Sequence, residues 1–177
     1  PAPPQGGSEA TIYHGPLRGA VAKQYWIGDI LVGSHDEEAV ELCGWVHRTR
    51  GSNKIRFLVL RDSTGSLQCV IKKGAVDDEC FDALSSALIE SSVRVTGKVI
   101  RTDREHGYEL SVSTGNVVGA VNPDSPFPIT ESAMAEADGG ETEFLLDNRH
   151  LYLRTSRMTK MLKIRSTVFG AVHSYFR

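Results

Sequence analysis

The feature that most constrains the fold of this chain is an alternation of apolar and polar residues with a period of two. It begins at Val40–His47, where every second residue is apolar or glycine, as in a strand with one buried face. Residues 55–61 and 66–71 repeat the pattern, and short polar segments containing glycine separate the three stretches. The sequence therefore predicts three consecutive antiparallel strands.

The period changes once and then returns. Residues 77–89 carry apolar side chains at helical spacing, and the acids Asp77, Asp78 and Glu79 suit the N-terminal end of a helix dipole. Strand patterns resume at residues 92–100 and 108–121. Three strands, one helix and two strands is the element order of the OB-fold, a five-stranded barrel whose second and third strands often bind oligonucleotides. We therefore expect an all-β fold with one helix in the barrel.

Composition divides the rest of the chain. Residues 1–24 lack periodicity and predict an irregular or disordered N-terminal extension before a domain at residues 25–121. Residues 122–143, rich in Pro, Gly and acids, predict a linker or hinge. In residues 144–177 an amphipathic helix is expected from about Ser156, with an apolar face in need of a partner.

Charge is segregated although the formal net charge is only -2. Seven basic residues oppose two acidic ones between Glu41 and Lys73, and seven basic residues without any acid lie between Arg149 and Arg177. Such segregation indicates surfaces that face a polyanion, although solvated surface charge explains it equally well.

The sequence also bears on location and metals. No apolar run approaches the roughly 18 residues of a membrane span, so we expect no membrane partner. Three cysteines and six histidines show no metal-ligand spacing, which predicts no metal site and favours a reducing, cytoplasmic compartment. No nucleophile and base form a catalytic arrangement, so we expect no catalytic residue in this stretch.

Alternation identifies a candidate binding face. If Leu58 and Leu60 point inward, then Phe57 and Arg61 point outward, and on the next strand Gln68 and Val70 do the same. A ring, a cation and an amide can stack an unpaired base, hold its phosphate and read its edge. The alternative is a register slipped by one residue, which would bury Phe57 beside an arginine at high cost.

Three further polar residues are candidates for the same face. Arg48 and Arg50 flank the turn after the first strand and could contact phosphates or a base edge. Glu109 opens the fifth strand, where a carboxylate could accept a hydrogen bond from a base. For each of the three, the role of an ordinary solvated surface residue is an explanation at least as good.

The chain resembles a known family in five segments. Together they resemble the anticodon-binding OB domain of class IIb aminoacyl-tRNA synthetases, which are specific for aspartate, asparagine or lysine. The similarity covers roughly Tyr25 to Arg177. The five segments are Gly44–Arg48, Phe57–Asp62, Gly65–Val70, Glu90–Gly97 and Leu146–Arg154.

The resemblance implies roles for several residues. Phe57 would stack on an anticodon base, Gln68 would read the central uracil, and Arg50 would contact the anticodon loop. Glu109 would help to read the first base. With Arg48 and Arg61 from the reasoning above, these residues are the expected anticodon-binding set.

Within the family, two segments favour the asparagine-specific enzymes. Asn148–Leu151 before an arginine looks like the archaeal and eukaryotic asparagine type, and Gly65–Val70 points the same way. Gly51–Asn53 departs from the Asp-Leu-Gly of many bacterial aspartate enzymes, so the resemblance assigns neither the loop contacts nor a residue that reads the third anticodon base. An aspartate enzyme, or a stand-alone OB protein binding single-stranded nucleic acid, is the alternative.

The resemblance also implies what the parent enzyme needs. It would be a homodimer that attaches asparagine to tRNA with ATP and Mg²⁺. The closing helix resembles the first class II signature motif, where the α+β catalytic domain begins. Because the chain starts at Pro1 and ends at Arg177, we expect a truncated fragment that needs no cofactor and lacks the catalytic motifs.

Overall fold

The computed structural model divides the chain into two compact units, Pro1–Pro126 and Phe127–Arg177. It describes residues 22–33, 35–103, 107–129 and 142–177. Most of the predicted N-terminal extension and of the predicted linker therefore lies outside the described residues.

The first unit contains the predicted order of three strands, a helix and two strands. A short strand and a short helix that the sequence analysis did not predict precede them. The elements are β1 (Lys23–Gln24), α1 (Ile27–Leu31), β2 (Ala39–Gly51), β3 (Ile55–Arg61), β4 (Ser66–Lys72), α2 (Asp78–Ser86), β5 (Ser92–Arg101) and β6 (Tyr108–Gly119).

The strands close into a barrel. β2, β3 and β4 pair antiparallel in sequence order, β6 joins β4 in parallel, and β5 pairs antiparallel with β6. β5 then returns to pair with β2, so the five long strands have no open edge between them. The short β1 adds in parallel to the start of β2. The predicted five-stranded OB-fold barrel is confirmed.

Closure depends on the length of β2 and on a glycine within it. Ala39–Trp45 pairs with β5, and Trp45–Gly51 pairs with β3, so one strand serves both neighbours. At the changeover, a Cβ atom on Gly44 would lie 2.5 Å from the carbonyl oxygen of Arg61. Only a residue without a side chain lets the two backbones approach so closely.

The inward strand residues that alternation predicted form the barrel core, and apolar side chains of α2 pack against them. The Asp77 carboxylate caps this helix by accepting a hydrogen bond from the Cys80 amide at 2.7 Å. Fully buried core side chains include Val40, Leu42, Val46, Leu58, Leu60, Leu67, Cys69, Ile71, Leu84, Val95, Val99 and Leu110.

Helix α2 is shorter than the sequence predicted. We expected it to continue to Ile89, but it ends at Ser86 because Ala87 adopts an extended backbone with ψ of 121°. The chain must turn there to enter β5, and this requirement overrides the apolar spacing of Ala87 and Leu88.

Helix α1 packs Ile27 and Ile30 into the core, where both are fully buried. The turn between β3 and β4 holds its first residues. Asp62 Oδ2 accepts a hydrogen bond from the Ile27 amide at 2.7 Å, and Thr64 Oγ1 accepts one from the Gly28 amide at 2.8 Å. The β3–β4 turn thus satisfies amides that a short helix leaves open at its start.

The second unit is helical in its described part, with α3 (Thr142–Asp147), α4 (Arg149–Tyr152) and α5 (Ser156–Tyr175). The predicted closing helix is confirmed as α5, which Thr155 caps by accepting a hydrogen bond from the Met158 amide. Helix α3 begins one residue before the end of the predicted linker. The residues exposed on α5 include Met161, Leu162, Ile164, Val168, Phe169, Val172 and Tyr175.

Within the described residues, no helix combines the length and the apolar character needed to cross a membrane.

Candidate nucleic-acid interface

The β3–β4 outer face, defined here by Phe57, Val59, Gln68 and Val70, faces away from the core. On β3, Leu58 and Leu60 are fully buried, whereas the outward residues Phe57, Val59 and Arg61 are partly exposed. The inward and outward assignment of β3 is therefore as predicted, and the slipped register that would bury Phe57 in the core is excluded.

One outward residue is less accessible than expected. Val70 was predicted to point outward, and its exposed fraction is only 6%. β4 lies between β3 and β6, where Val70 pairs with Phe57 on one side and Ser111 on the other. Val70 thus shares the outer face with Phe57, as predicted, but in a central strand little of its surface is exposed.

A β-bulge in β2 determines where the two arginines of this strand point. Val46 pairs with the inward residue Leu60, and Arg48 pairs with the next residue of β3, Val59, so that His47 is extra. Paired residues on neighbouring strands share a face. A bulge of one residue therefore reverses the alternation of β2 at this point.

The reversal brings Arg48 and Arg50 to the β3–β4 outer face, since they pair with Val59 and Phe57. Both arginines are exposed. Uninterrupted alternation from Val46 would have turned both guanidinium groups towards the core. The two arginines were predicted as candidates, but the bulge that positions them was not.

Four of the six predicted site residues contact one another. Arg50 Nη2 donates a hydrogen bond to Gln68 Oε1 at 3.2 Å, and Gln68 Nε2 donates one to Glu109 Oε2 at 3.1 Å. The Arg50 guanidinium also lies over the Phe57 ring, 5.7 Å from its centroid. Ring, cation, amide and carboxylate form a continuous row across β2, β3, β4 and β6.

Pairing between strands explains why the row is continuous. Gln68 is opposite Glu109 in the parallel pair of β4 and β6, and Arg50 is opposite Phe57 in the antiparallel pair of β2 and β3. These residues are far apart in the sequence, and only the strand order and register make them neighbours.

Arg61 lies at the other end of β3 from Phe57, and its guanidinium contacts another group. Arg61 Nη2 donates to both carboxylate oxygens of Glu90, at 2.8 and 3.0 Å. The side chain of Glu90 is 5% exposed and that of Arg61 is 22% exposed. The structure therefore does not join Arg61 to the row of four, and its contact with a phosphate stays a prediction.

Further cations surround the β3–β4 outer face. Lys54 is exposed in the turn between β2 and β3, and Lys72, exposed at the end of β4, shares the outward side of Val70. Together with Arg48 and Arg50 they place positive charge around the row. This arrangement suits the phosphates of a nucleic acid.

The buried thiols of this barrel are unreactive. Burial raises the pKa of Cys69 to about 12, and burial together with the Asp77 charge raises that of Cys80. Because the thiolate is the reactive form, both side chains act as small apolar core residues. Across the described ranges, no group of three or more His, Cys, Asp or Glu residues could hold a metal ion.

Comparison with known proteins agrees with this geometry. The tRNA anticodon family model, described as an OB-fold nucleic acid binding domain, matches residues 40–118. The asparagine–tRNA ligase of Thermoplasma acidophilum is 40% identical over 152 residues, which cover 85% of this chain and 33% of the ligase. The chain thus spans about a third of the length of the curated relatives it matches.

Solved structures give the same picture. The asparaginyl-tRNA synthetase from Pyrococcus horikoshii, complexed with asparaginyl-adenylate, superposes with a TM-score of 0.70 at 35% identity, covering 79% of this chain and 31% of that one. An aspartyl-tRNA synthetase from Entamoeba histolytica reaches the same TM-score at 21% identity, covering 92% of this chain and 38% of that one. At that identity the likeness concerns the fold alone.

The matched residues include all five long strands apart from the ends of β2 and β6, and they include every residue of the row. The barrel therefore matches the OB-fold nucleic acid binding domain of the tRNA anticodon family, and the chain is similar to the N-terminal region of asparaginyl-tRNA synthetases.

Proposed function

We propose that the β3–β4 outer face recognises the anticodon of tRNA(Asn) on behalf of an asparagine–tRNA ligase. The relative from Thermoplasma acidophilum, to which the chain is 40% identical, is named as an asparagine–tRNA ligase, and this supports the proposal. The substrate of the parent enzyme would be asparagine, attached to tRNA at the expense of ATP.

The observation that carries the proposal is the row formed by Phe57, Arg50, Gln68 and Glu109. A partly exposed ring can stack on an unpaired base, and an amide and a carboxylate can hydrogen-bond to base edges. Arg50 supplies charge for the phosphate backbone. A short loop of unpaired bases is the ligand that such a row suits, because it offers stacking and edge recognition within a few ångströms.

The proposal extends to the parent enzyme. ATP and Mg²⁺ would bind in its catalytic part, and no described residue is assigned a catalytic role. We also propose a cytoplasmic homodimer, for which the exposed apolar residues of α5 are the physical support. Apolar patches of this kind usually mark surfaces that another protein segment covers.

Two substitutions test the assignment of the face. The Phe57→Ala variant should bind an RNA hairpin with the anticodon GUU more weakly than the native chain does, by about 1–3 kcal/mol, the usual value of one stacked base. Gln68→Ala should reduce the preference for uracil at the central position. Fluorescence anisotropy with labelled hairpins measures both effects.

Matched controls are available elsewhere in the chain. Phe176→Ala removes an exposed ring directly after α5, and Gln24→Ala removes an exposed amide from β1. Both should leave the affinity for the hairpin unchanged. If these controls weaken binding as much as Phe57→Ala and Gln68→Ala do, the β3–β4 outer face is not the binding site.

A further inference from the structure

We infer that Arg50 and Glu109 are positioning residues that fix the orientation of the Gln68 amide and thereby select uracil over cytosine. The inference rests on the proposed function and concerns the base that Gln68 reads. It gives the two charged residues a task in specificity that is separate from any contact of their own with RNA.

The geometry of the amide is the first step. Gln68 Oε1 accepts from Arg50 at 3.2 Å, and Gln68 Nε2 donates to Glu109 at 3.1 Å. A guanidinium can only donate hydrogen bonds, and an ionised carboxylate can only accept them. Turning the amide by 180° would set the NH₂ group against a donor and the carbonyl oxygen against an acceptor. The two neighbours therefore both oppose the flipped orientation.

The chemistry of the two pyrimidines is the second step. Uracil presents an acceptor at position 4 and a donor at position 3, whereas cytosine presents a donor at position 4 and an acceptor at position 3. A glutamine amide, with one donor and one acceptor side by side, can pair with either base. The pairing with cytosine requires the flipped amide. A glutamine whose amide can flip would accept both bases. A glutamine held by Arg50 and Glu109, which together form the clamp, accepts only uracil.

The amide retains the capacity to bind while it is clamped. One hydrogen on Nε2 and one lone pair on Oε1 remain after the two observed hydrogen bonds. Gln68 is also partly exposed, so these remaining sites can face a base. The clamp therefore holds one donor and one acceptor of Gln68 in a fixed orientation, and both can still hydrogen-bond to the base.

The test measures the affinity of the chain for hairpins with the anticodon GUU and for hairpins with cytosine at the central position. Native protein should prefer uracil by about tenfold or more, the discrimination of one bidentate contact. Arg50→Met combined with Glu109→Gln should reduce the preference to within about twofold. The single variant Arg50→Lys should keep most of the preference for uracil, because a lysine ammonium, like a guanidinium, can only donate hydrogen bonds.

Lys54→Met is the matched control, since it removes an exposed cation from the β2–β3 turn without touching the clamp. It should weaken binding to both hairpins equally. A second measurement needs no RNA: ¹⁵N relaxation of the Gln68 side chain should show an ordered amide in native protein and a mobile one in the double variant.

The outcomes separate the clamp from the proposed function. If native protein prefers uracil and the double variant does so equally, the proposed function stands and the clamp is wrong. Native protein that binds both hairpins alike contradicts the proposed function and the clamp with it. An amide that stays ordered in the double variant also overturns the clamp.

Discussion

Arg61 shows why the direction of a side chain does not settle its role. It points away from the core as the alternation of β3 predicts, yet its guanidinium is bound to a carboxylate 29 residues further along the chain. Glu90 is buried and adopts a positive φ of 70°, an unusual backbone conformation for a residue with a side chain. The pair links β3 to the loop that enters β5, and no local pattern could have predicted it.

Breaking this pair should destabilise the barrel. Arg61→Ala removes the guanidinium that binds both oxygens of the buried Glu90 carboxylate, and the free energy of unfolding should fall by about 3 kcal/mol, at the lower end for a buried pair because Arg61 keeps some solvent contact. Urea denaturation followed by tryptophan fluorescence measures the change, since Trp26 and Trp45 both lie in the first unit.

The exposed pair of Lys98 and Glu37 provides the comparison. Its side chains are 50% and 62% exposed, so Lys98→Ala should change the free energy of unfolding by less than about 1 kcal/mol. If Arg61→Ala unfolds like native protein but binds RNA poorly, Arg61 belongs to the binding face and its contact with Glu90 is incidental to stability.

At the scale of elements, the sequence was informative wherever a period extended over several residues. β3 was predicted with its observed bounds, because alternation and two turns define it fully. α1, with five residues, is too short to show a helical period, and it forms because the β3–β4 turn accepts its amide hydrogens. The bulge at His47 depends on pairing with β3, and local alternation contains no trace of it.

The same distinction applies to the candidate site. Alternation correctly placed Phe57 and Gln68 outward. The contacts of Arg50 and Glu109 with Gln68 depend on the bulge in β2 and on the parallel pairing of β4 with β6. Both are long-range features of the fold, so the sequence could propose the members of the row but not their connection.

Closure of the barrel at Gly44 gives a prediction for a whole element. Gly44→Ala would place a methyl group 2.5 Å from the Arg61 carbonyl oxygen, so β2 or β3 must shift. We expect a loss of about 1–3 kcal/mol in the free energy of unfolding, as for an overpacked core. Thermal unfolding monitored by tryptophan fluorescence measures it.

Gly170→Ala serves as the control for this prediction. Nothing lies within 4 Å of the added methyl group, and alanine favours the helix by about 1 kcal/mol. The tryptophan-monitored transition of this variant should therefore not fall below that of the native protein. A Gly44→Ala protein as stable as native would show that β2 does not need a glycine where it changes partner.

At the scale of the whole molecule, the distribution of charge matters more for binding than the net charge. The chain carries a formal charge of -2, yet cations surround the row on the β3–β4 outer face. A polyanion would therefore bind with an affinity that falls as salt rises, whatever its sequence. Only the part of the affinity that depends on base identity separates anticodon recognition from general attraction to RNA.

The most direct test of the central claim is the affinity of native protein for three RNA hairpins at two salt concentrations. The hairpins carry GUU, the aspartate anticodon GUC, or a scrambled loop. We predict that GUU binds most tightly, GUC less tightly and the scrambled loop weakly, with the same order at both salt concentrations. Equal binding of all three, with only a common dependence on salt, would contradict anticodon recognition, and a preference for GUC would point to aspartate.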